Sequence, residues 1–184
     1  MTLTPRSKTT IMIGALSLIL LPHGVWGQSS APGGDMPPQL RPPEGARLIL
    51  HALGKGDQIY ACKQQDAQYA WVLKAPEAQL FDESGKVVGR HFAGPAWEAN
   101  DKSAVTGKVV ARADAPDKDA IPWLLLAAAD HSGNGLMNRV SSIQRLNTKG
   151  GKAPGTGCDA SHVGDETRVS YAAEYLFYEN QSGH

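Results

Sequence analysis

The segment VSYAAEYLFY, residues 169–178, carries the clearest pattern in this chain of 184 residues. Successive side chains of a β-strand point to opposite faces of a sheet, so an apolar period of two predicts a strand. A long terminal strand of this kind favours a place inside a sheet. One face of the predicted strand consists of Val169, Tyr171, Ala173, Tyr175 and Phe177.

Short apolar segments separated by glycine, proline and aspartate extend the β pattern toward the N-terminus. Residues 54–57 (GKGD) and 82–85 (DESG) predict two hairpin turns. Residues 121–129 could form a buried strand or the start of a short helix, and residues 136–148 favour a strand because of their β-branched content. The other predicted strands are residues 47–52, 58–62, 69–73, 78–81, 86–92 and 104–112.

About eight to ten short strands at nearly regular spacing predict an all-β fold. We expect a single antiparallel β-sandwich or barrel-like domain that leaves room for one short helix. Residues 147–158, NTKGGKAPGTGC, are predicted to form a glycine-rich loop that ends at a cysteine.

The first 27 residues have the composition of a secretory signal peptide. Arg6 and Lys8 precede an apolar run at residues 11–21, which is too short to anchor the chain across a bilayer. We therefore expect an exported protein, periplasmic or extracellular, without a transmembrane anchor. Residues 28–43 predict a flexible proline- and glycine-rich lead-in, residues 44–180 a single β-rich domain, and residues 181–184 a tail.

The charges of the chain are balanced and evenly distributed. Eighteen lysines and arginines equal 18 aspartates and glutamates, with no run of like charges. Nucleic acids and anionic membranes are bound by basic patches, so this composition predicts no nucleic-acid partner.

Cys62 and Cys158 are the two cysteines of the chain. In an oxidising compartment such a pair predicts a disulfide. The alternative is a nucleophilic or metal-binding cysteine, although neither residue has a CxxC neighbour.

Residues 89–107, GRHFAGPAWEANDKSAVTG, concentrate the residue types that carry chemistry. Residues 97–103 are predicted to form a loop, and loops on a rigid scaffold often carry binding residues. The alternative is structural: Trp97 would plug the open end of a sheet, and Asp101 would cap a turn. The ligand-binding candidates are His91, Trp97, Glu98, Asp101 and Ser103.

The glycine-rich segments do not match nucleotide-binding motifs. Gly151-Lys152 is followed by Ala153 instead of the hydroxyl residue of a phosphate loop, and no GxSxG pentapeptide marks a serine hydrolase. No histidines stand at the HxH or HExxH spacing. A metal site could still form in space from His91, Asp101 and His131.

The aromatic residues offer two interpretations. Trp71, Trp97 and Trp123 could build a flat platform for a sugar, or they could belong to the core.

The ordered segments QIYAC, WVLKAPEAQLFDESGKVVGRHFAGPAWE, IPWLLLAA, SSIQRLNTKGGKAP and VSYAAEYLFY resemble an exported bacterial and fungal family catalogued as domain of unknown function 3455. The resemblance covers roughly residues 43–178. It implies that Cys62 and Cys158 belong to one framework, and it implies no catalytic or binding residue.

Two functional hypotheses follow. The first is a disulfide-stabilised binding or cell-envelope-associated module for a small molecule, a glycan or a protein partner, without a cofactor. The second is a metal-assisted enzyme that uses His91, Asp101 and His131. The absence of a catalytic motif favours the first hypothesis.

Overall fold

Eight antiparallel strands, each hydrogen-bonded to the next along the chain, close into a barrel in the computed structural model. The structure describes residues 1–2 and 36–180. Almost all of the predicted signal peptide, the first half of the predicted lead-in and the predicted tail lie outside the described residues. The strands are β1 (Ala46–Gln65), β2 (Gln68–Phe81), β3 (Val87–Phe92), β4 (Ala96–Ala99), β5 (Ala104–Ala113), β6 (Trp123–Ser132), β7 (Ser142–Gly150) and β8 (Glu166–Asn180).

Pairing between the first and last strands closes the sheet. β1 has 20 residues and β8 has 15, and they pair from Ala46 with Asn180 to Ala61 with Glu166. The all-β prediction is confirmed, and of its two forms the chain adopts the barrel. The one short helix that the sequence allowed is represented by two 3-10 turns, Pro38–Leu40 and Leu136–Arg139. No helix among the described residues is long and apolar enough to cross a membrane.

The predicted hairpin turn at residues 54–57 is wrong, because β1 continues straight through it. Gly54 pairs with Leu80 on one side and with Ala173 on the other. A Cβ at Gly54 would lie 2.5 Å from the ring of Tyr175, so the glycine makes room for a core aromatic ring and not for a turn. The strands predicted at residues 69–73 and 78–81 are likewise one strand, β2.

Two predicted loops contain strands. Residues 96–99 form β4, so Trp97 lies on a strand and only residues 100–103 form the turn that follows. The first four residues of the predicted glycine-rich loop, 147–150, belong to β7. In both cases a neighbouring strand supplies the hydrogen-bond partners of the backbone N–H and C=O groups. A short stretch of sequence does not show that this neighbour is present.

The barrel interior is filled by side chains from the inward face of each strand. Trp97, Tyr175 and Phe177 are buried and contact one another, with Trp97 edge-on to both other rings. A Cβ at Gly107 would lie 3.0 Å from Trp97, so glycines on facing strands accommodate these rings. The core is therefore an aromatic cluster packed against small residues.

The described part of the predicted lead-in, residues 36–43, lies against the barrel. Leu40 is fully buried against the outer face of the barrel, where it packs with Leu125, Leu146 and Leu176. Gln144 Nε2 donates a hydrogen bond of 2.6 Å to the Leu40 carbonyl oxygen. Apolar side chains on the outside of β6, β7 and β8 need a cover, and this segment supplies it.

The predicted disulfide is present. Cys62 on β1 is bonded to Cys158, across a sequence separation of 96 residues. The connection between β7 and β8 also receives hydrogen bonds from Tyr60 Oη to the Gly151 oxygen (2.6 Å) and from Trp71 Nε1 to the Thr156 oxygen (2.9 Å). The long connection is therefore fastened to β1 and β2.

Removing this disulfide is expected to lower the free energy of unfolding. A loop of this length contributes about 4 to 5 kcal/mol in the chain-entropy model, so a Cys62→Ser, Cys158→Ser variant should unfold at much lower denaturant concentration. Urea unfolding measures the change, and thiol titration of the denatured wild type should find no free thiol. Two titratable thiols, or an unchanged midpoint, would contradict the prediction.

Candidate functional site

His91 and Trp97 face the barrel interior from adjacent strands. They are paired positions of β3 and β4, and their rings stack at 4.5 Å between centroids with an interplanar angle of 8°. His91 Nδ1 donates a hydrogen bond of 2.8 Å to the Ala96 carbonyl oxygen, which fixes the tautomer because a carbonyl can only accept. Burial lowers the pKa of His91 to about 4, so the ring is neutral at neutral pH.

Glu98 lies on the outer face of β4 and is held by two cations. Arg90 Nη2 lies 2.9 Å from Glu98 Oε2, and Lys102 Nζ lies 3.7 Å from Oε1. The hydrogen bond from Arg90 lowers the pKa of Glu98. The carboxylate is therefore separated from His91 and Trp97 by the sheet itself.

Asp101 and Ser103 hold the second 3-10 turn against the barrel end. Asp101 Oδ1 accepts hydrogen bonds from the nitrogen (2.9 Å) and hydroxyl (2.5 Å) of Ser103. Its Oδ2 accepts one from Leu136 N at 2.8 Å, and Ser103 Oγ accepts one from Met137 N at 3.0 Å. These contacts match the structural alternative, in which Asp101 caps a turn.

The proposed metal ligands are not brought together. His131 lies three strands from His91 along one row of the sheet, which runs His91, Trp97, Val105, His131 and spans about 14 Å at normal strand spacing. His131 Nε2 is hydrogen-bonded to the Val140 oxygen at 2.8 Å. Among residues 1–2 and 36–180, no group of three histidine, cysteine or acidic residues could hold a metal ion.

The tryptophans do not form a shared platform. Trp97 is in the core, and Trp123 packs beneath the N-terminal segment. Trp71 donates a hydrogen bond to the connection between β7 and β8, which carries Cys158. Each therefore serves the packing of a different region.

Three clefts meet at Lys55 on the outside of the barrel. Their volumes are about 450, 460 and 640 Å³, and each is lined in part by Lys55 on β1. We call this surface the outer groove. Its principal lining residues are His51, Lys55, Asp57, Glu77, Gln79, Phe81, Arg90, Phe92, Lys149, Arg168, Ser170 and Glu174.

The centre of the outer groove has two lysines without acidic partners. Within residues 36–180, neither Lys55 nor Lys149 forms an ion pair, whereas Arg168 is held by Glu77 (2.7 Å) and Asp57 (3.5 Å). Lys55 Nζ lies 5.7 Å from the centroid of the Phe81 ring. The groove thus offers free positive charge beside an aromatic ring.

One end of the outer groove is acidic. His51 lies between Glu83 (Nδ1 to Oε1, 3.6 Å) and Glu174 (Nε2 to Oε2, 3.4 Å). Both carboxylates line the first cleft with Phe81 and Lys55. A ligand in the groove would therefore meet cations at the centre and carboxylates at one end.

The sequence does not predict the outer groove, because its residues come from strands far apart in the chain. The GKGD pattern predicts a turn that contains Lys55 and Asp57, whereas both lie on β1. Their spacing of two was the available signal, because alternate residues of a strand share a face. Which residues of β2, β3, β7 and β8 join that face depends on strand pairing.

A family model described as a protein of unknown function, DUF3455, matches residues 42–179. No curated protein and no solved structure matches the chain.

The buried His91 is expected to make stability depend on pH. The unfolded histidine binds a proton near pH 6.5 and the folded one only near pH 4, so the unfolded state binds more protons between these values. The stabilisation is complete above pH 6.5 and is lost as the pH falls toward 4, by about 3 kcal/mol. Denaturant unfolding of wild type and His91→Phe at pH 7.5, 5.5 and 4.5 measures this difference.

His162→Asn is the matched control. Its hydrogen bond with Asp159 raises the pKa of His162, so this histidine stabilises the fold below its ordinary pKa and the contribution fades as the pH rises. His162→Asn should therefore change the slope of the free energy of unfolding against pH in the direction opposite to that of His91→Phe. A difference between wild type and His91→Phe that stays constant from pH 7.5 to 4.5 would contradict the assignment.

Proposed function

The chain belongs to DUF3455, a family of proteins of unknown function, and we propose that it is an exported module that binds acidic glycans in its outer groove. The observation that carries the proposal is the meeting of three clefts at Lys55, a cation without an acidic partner among residues 36–180.

The shape of the outer groove favours an extended ligand. The clefts adjoin across β8, β1, β2 and β3 and are open to solvent, so they suit a chain of linked units better than a small enclosed molecule. Polar side chains that can exchange hydrogen bonds with hydroxyl groups line the same surface, including Gln79 and Ser170. Phe81 adds an apolar face on which a sugar ring can pack.

The two lysines at the centre of the groove favour an acidic ligand. Lys55 and Lys149 both line the largest cleft, and a lysine ammonium pairs with a carboxylate or sulfate as a flexible point charge. Arg90 and Arg168 add cations at the edge, although Glu98, Glu77 and Asp57 already engage them. The two unpaired lysines therefore set the preference.

Export is supported by two independent features. Residues 1–27 have the three parts of a signal peptide, and the Cys62–Cys158 disulfide is the kind of bond that persists in oxidising compartments. An extracellular or periplasmic location also places the groove where acidic polysaccharides occur. The metal-assisted alternative is not proposed, because His91, Asp101 and His131 lie apart.

A Lys55→Ala, Lys149→Ala variant is expected to bind acidic glycans about five- to thirty-fold more weakly than wild type. Each exposed ion pair contributes up to about 1 kcal/mol to the binding free energy. Added salt screens these ion pairs, so it should weaken the binding of acidic glycans by the wild type. Isothermal titration of the mature protein with oligogalacturonate and with a neutral oligosaccharide of equal length measures both effects.

Lys108→Ala is the matched control, because Lys108 is an exposed lysine of β5 outside the groove. It should bind as wild type does. Equal binding by the double variant and the control would show that the site lies outside the groove. Equal affinity of the wild type for the acidic and the neutral oligosaccharide would show that charge has no role. Binding to neither sugar would overturn the proposal.

A further inference from the structure

β2 extends beyond the part of the barrel wall that β3 continues. It runs from Gln68 to Phe81 and pairs with β1 along this whole length. On its other edge, β3 pairs only with the residues from Ala78 to Phe81. Residues 68–77 therefore have an edge to which no other strand of residues 36–180 is hydrogen-bonded. We call this stretch the free edge of β2.

The pairing of Cys62 shows which backbone groups of the free edge point outward. The Cys62 N–H donates to the Asp165 oxygen at 2.9 Å, and its carbonyl oxygen accepts from Gly164 N at 3.0 Å, so both groups face β8. Cys62 is opposite Trp71 on β2. Opposed residues of an antiparallel pair exchange either both hydrogen bonds or none. The N–H and C=O of Trp71 therefore point away from β1.

Tyr69 and Leu73 present their backbone groups in the same direction, because each lies two residues from Trp71. The register with β1 continues across these residues without a shift. In the part of the chain from 36 to 180, no strand or turn supplies partners for their outward N–H and C=O groups. Pro76 ends the run, since a proline has no N–H to donate to a further strand.

The side chains of the free edge are apolar and partly exposed. Tyr69 is 37% exposed and Leu73 is 52% exposed. Both lie on the face of β2 that carries Trp71, because alternate residues of a strand share a face. Trp71 is fixed by its hydrogen bond to the Thr156 oxygen. An exposed apolar side chain therefore lies on either side of a fixed centre.

We propose that the free edge of β2 pairs with the free edge of a second copy of this chain, antiparallel and centred on Trp71. In this register Trp71 is opposite Trp71 of the second copy, and Tyr69 is opposite Leu73 of the second copy. The outward N–H and C=O groups of these residues then meet partners, and the apolar side chains contact one another across the strands. A two-fold contact needs a self-complementary patch, and the arrangement about Trp71 is one. The proposal does not depend on glycan binding in the outer groove.

Charge favours this register over the alternatives. Lys74 is the one charged residue in residues 68–74, and in the antiparallel register it comes opposite the neutral Gln68 of the second copy. A parallel pairing would place Lys74 beside Lys74 of the second copy, and like charges directly opposed in a sheet are destabilising. A shift toward the C-terminus would bring in Pro76, which cannot donate.

The contact is small, so the dimer is expected to be weak and reversible. Residues 68–74 of each copy take part, and interfaces that bury less than about 1,200 Å² are typical of transient association. We therefore expect an equilibrium between monomer and dimer that depends on protein concentration.

Sedimentation velocity of the mature protein, combined with amide hydrogen exchange measured by NMR on the same samples, tests the proposal. The mean mass should rise toward that of a dimer as the concentration is raised from about 1 μM to about 1 mM. Exchange at the amides of Tyr69, Trp71 and Leu73 should slow in parallel, since these N–H groups become hydrogen-bonded. A monomer at every concentration, or a dimer in which these amides exchange as fast as in dilute protein, would overturn the proposal.

Leu73→Asp should raise the Kd of the dimer by about two- to thirty-fold or more, because the symmetry removes two cross-strand contacts at once. Val110→Asp is the matched control, since Val110 is an exposed apolar residue of β5 outside the free edge. The control should dimerise as wild type does. Both side chains are exposed, so both variants should fold, and Tm measures this. A Leu73→Asp variant that dimerises like the control would contradict the assignment of the interface.

A peptide with the sequence of residues 68–74, QYAWVLK, should bind the monomer and inhibit dimerisation. A peptide with the same residues in scrambled order should do neither, because it lacks the apolar pattern about the tryptophan. Equal binding of the two peptides would show that the free edge accepts any extended chain, and would overturn the assignment to a second copy.

Discussion

The backbone pairing of β1 with β8 is the constraint on which the rest of the structure depends. A strand at an open edge leaves a row of unpaired N–H and C=O groups, and closing the sheet satisfies them. Closure also creates an enclosed interior, and this is why the aromatic rings of Trp97, Tyr175 and Phe177 can be removed from water together. The glycines of β1 and β5 follow from the same constraint, because a closed barrel of eight strands has little room beside such rings.

Closure gives each strand two chemically different faces, and the outer groove uses the outward one. On β1, Gly54 faces the Tyr175 ring whereas Lys55 lies in the outer groove. On β8, Tyr175 is in the core whereas Glu174 lines the first cleft. The inward faces supply the buried core, and the outward faces of β1, β2, β3 and β8 supply the outer groove.

The stretch between residues 89 and 107 shows how far sequence proximity can mislead. Its candidate residues are distributed over three environments: His91 is in the core, Glu98 is on the outer surface, and Asp101 caps a turn at the barrel end. Strand alternation separates neighbours such as Trp97 and Glu98 by the thickness of the sheet. His91 and Asp101, which the sequence suggested as ligands of one metal site, therefore belong to different parts of the molecule.

The sequence by itself determined the β class, the long terminal strand, the disulfide partners and the family, since these depend on local alternation, on cysteine number and on ordered motifs. It predicted the 82–85 turn and the strand β5 correctly, but it placed a turn at residues 54–57 because glycine and aspartate are also the residues of hairpins. The closure of the sheet and the position of the outer groove at Lys55 come from the tertiary structure alone. Each depends on which distant strands pair and in what register, and this is a property of the whole sheet that no local pattern contains.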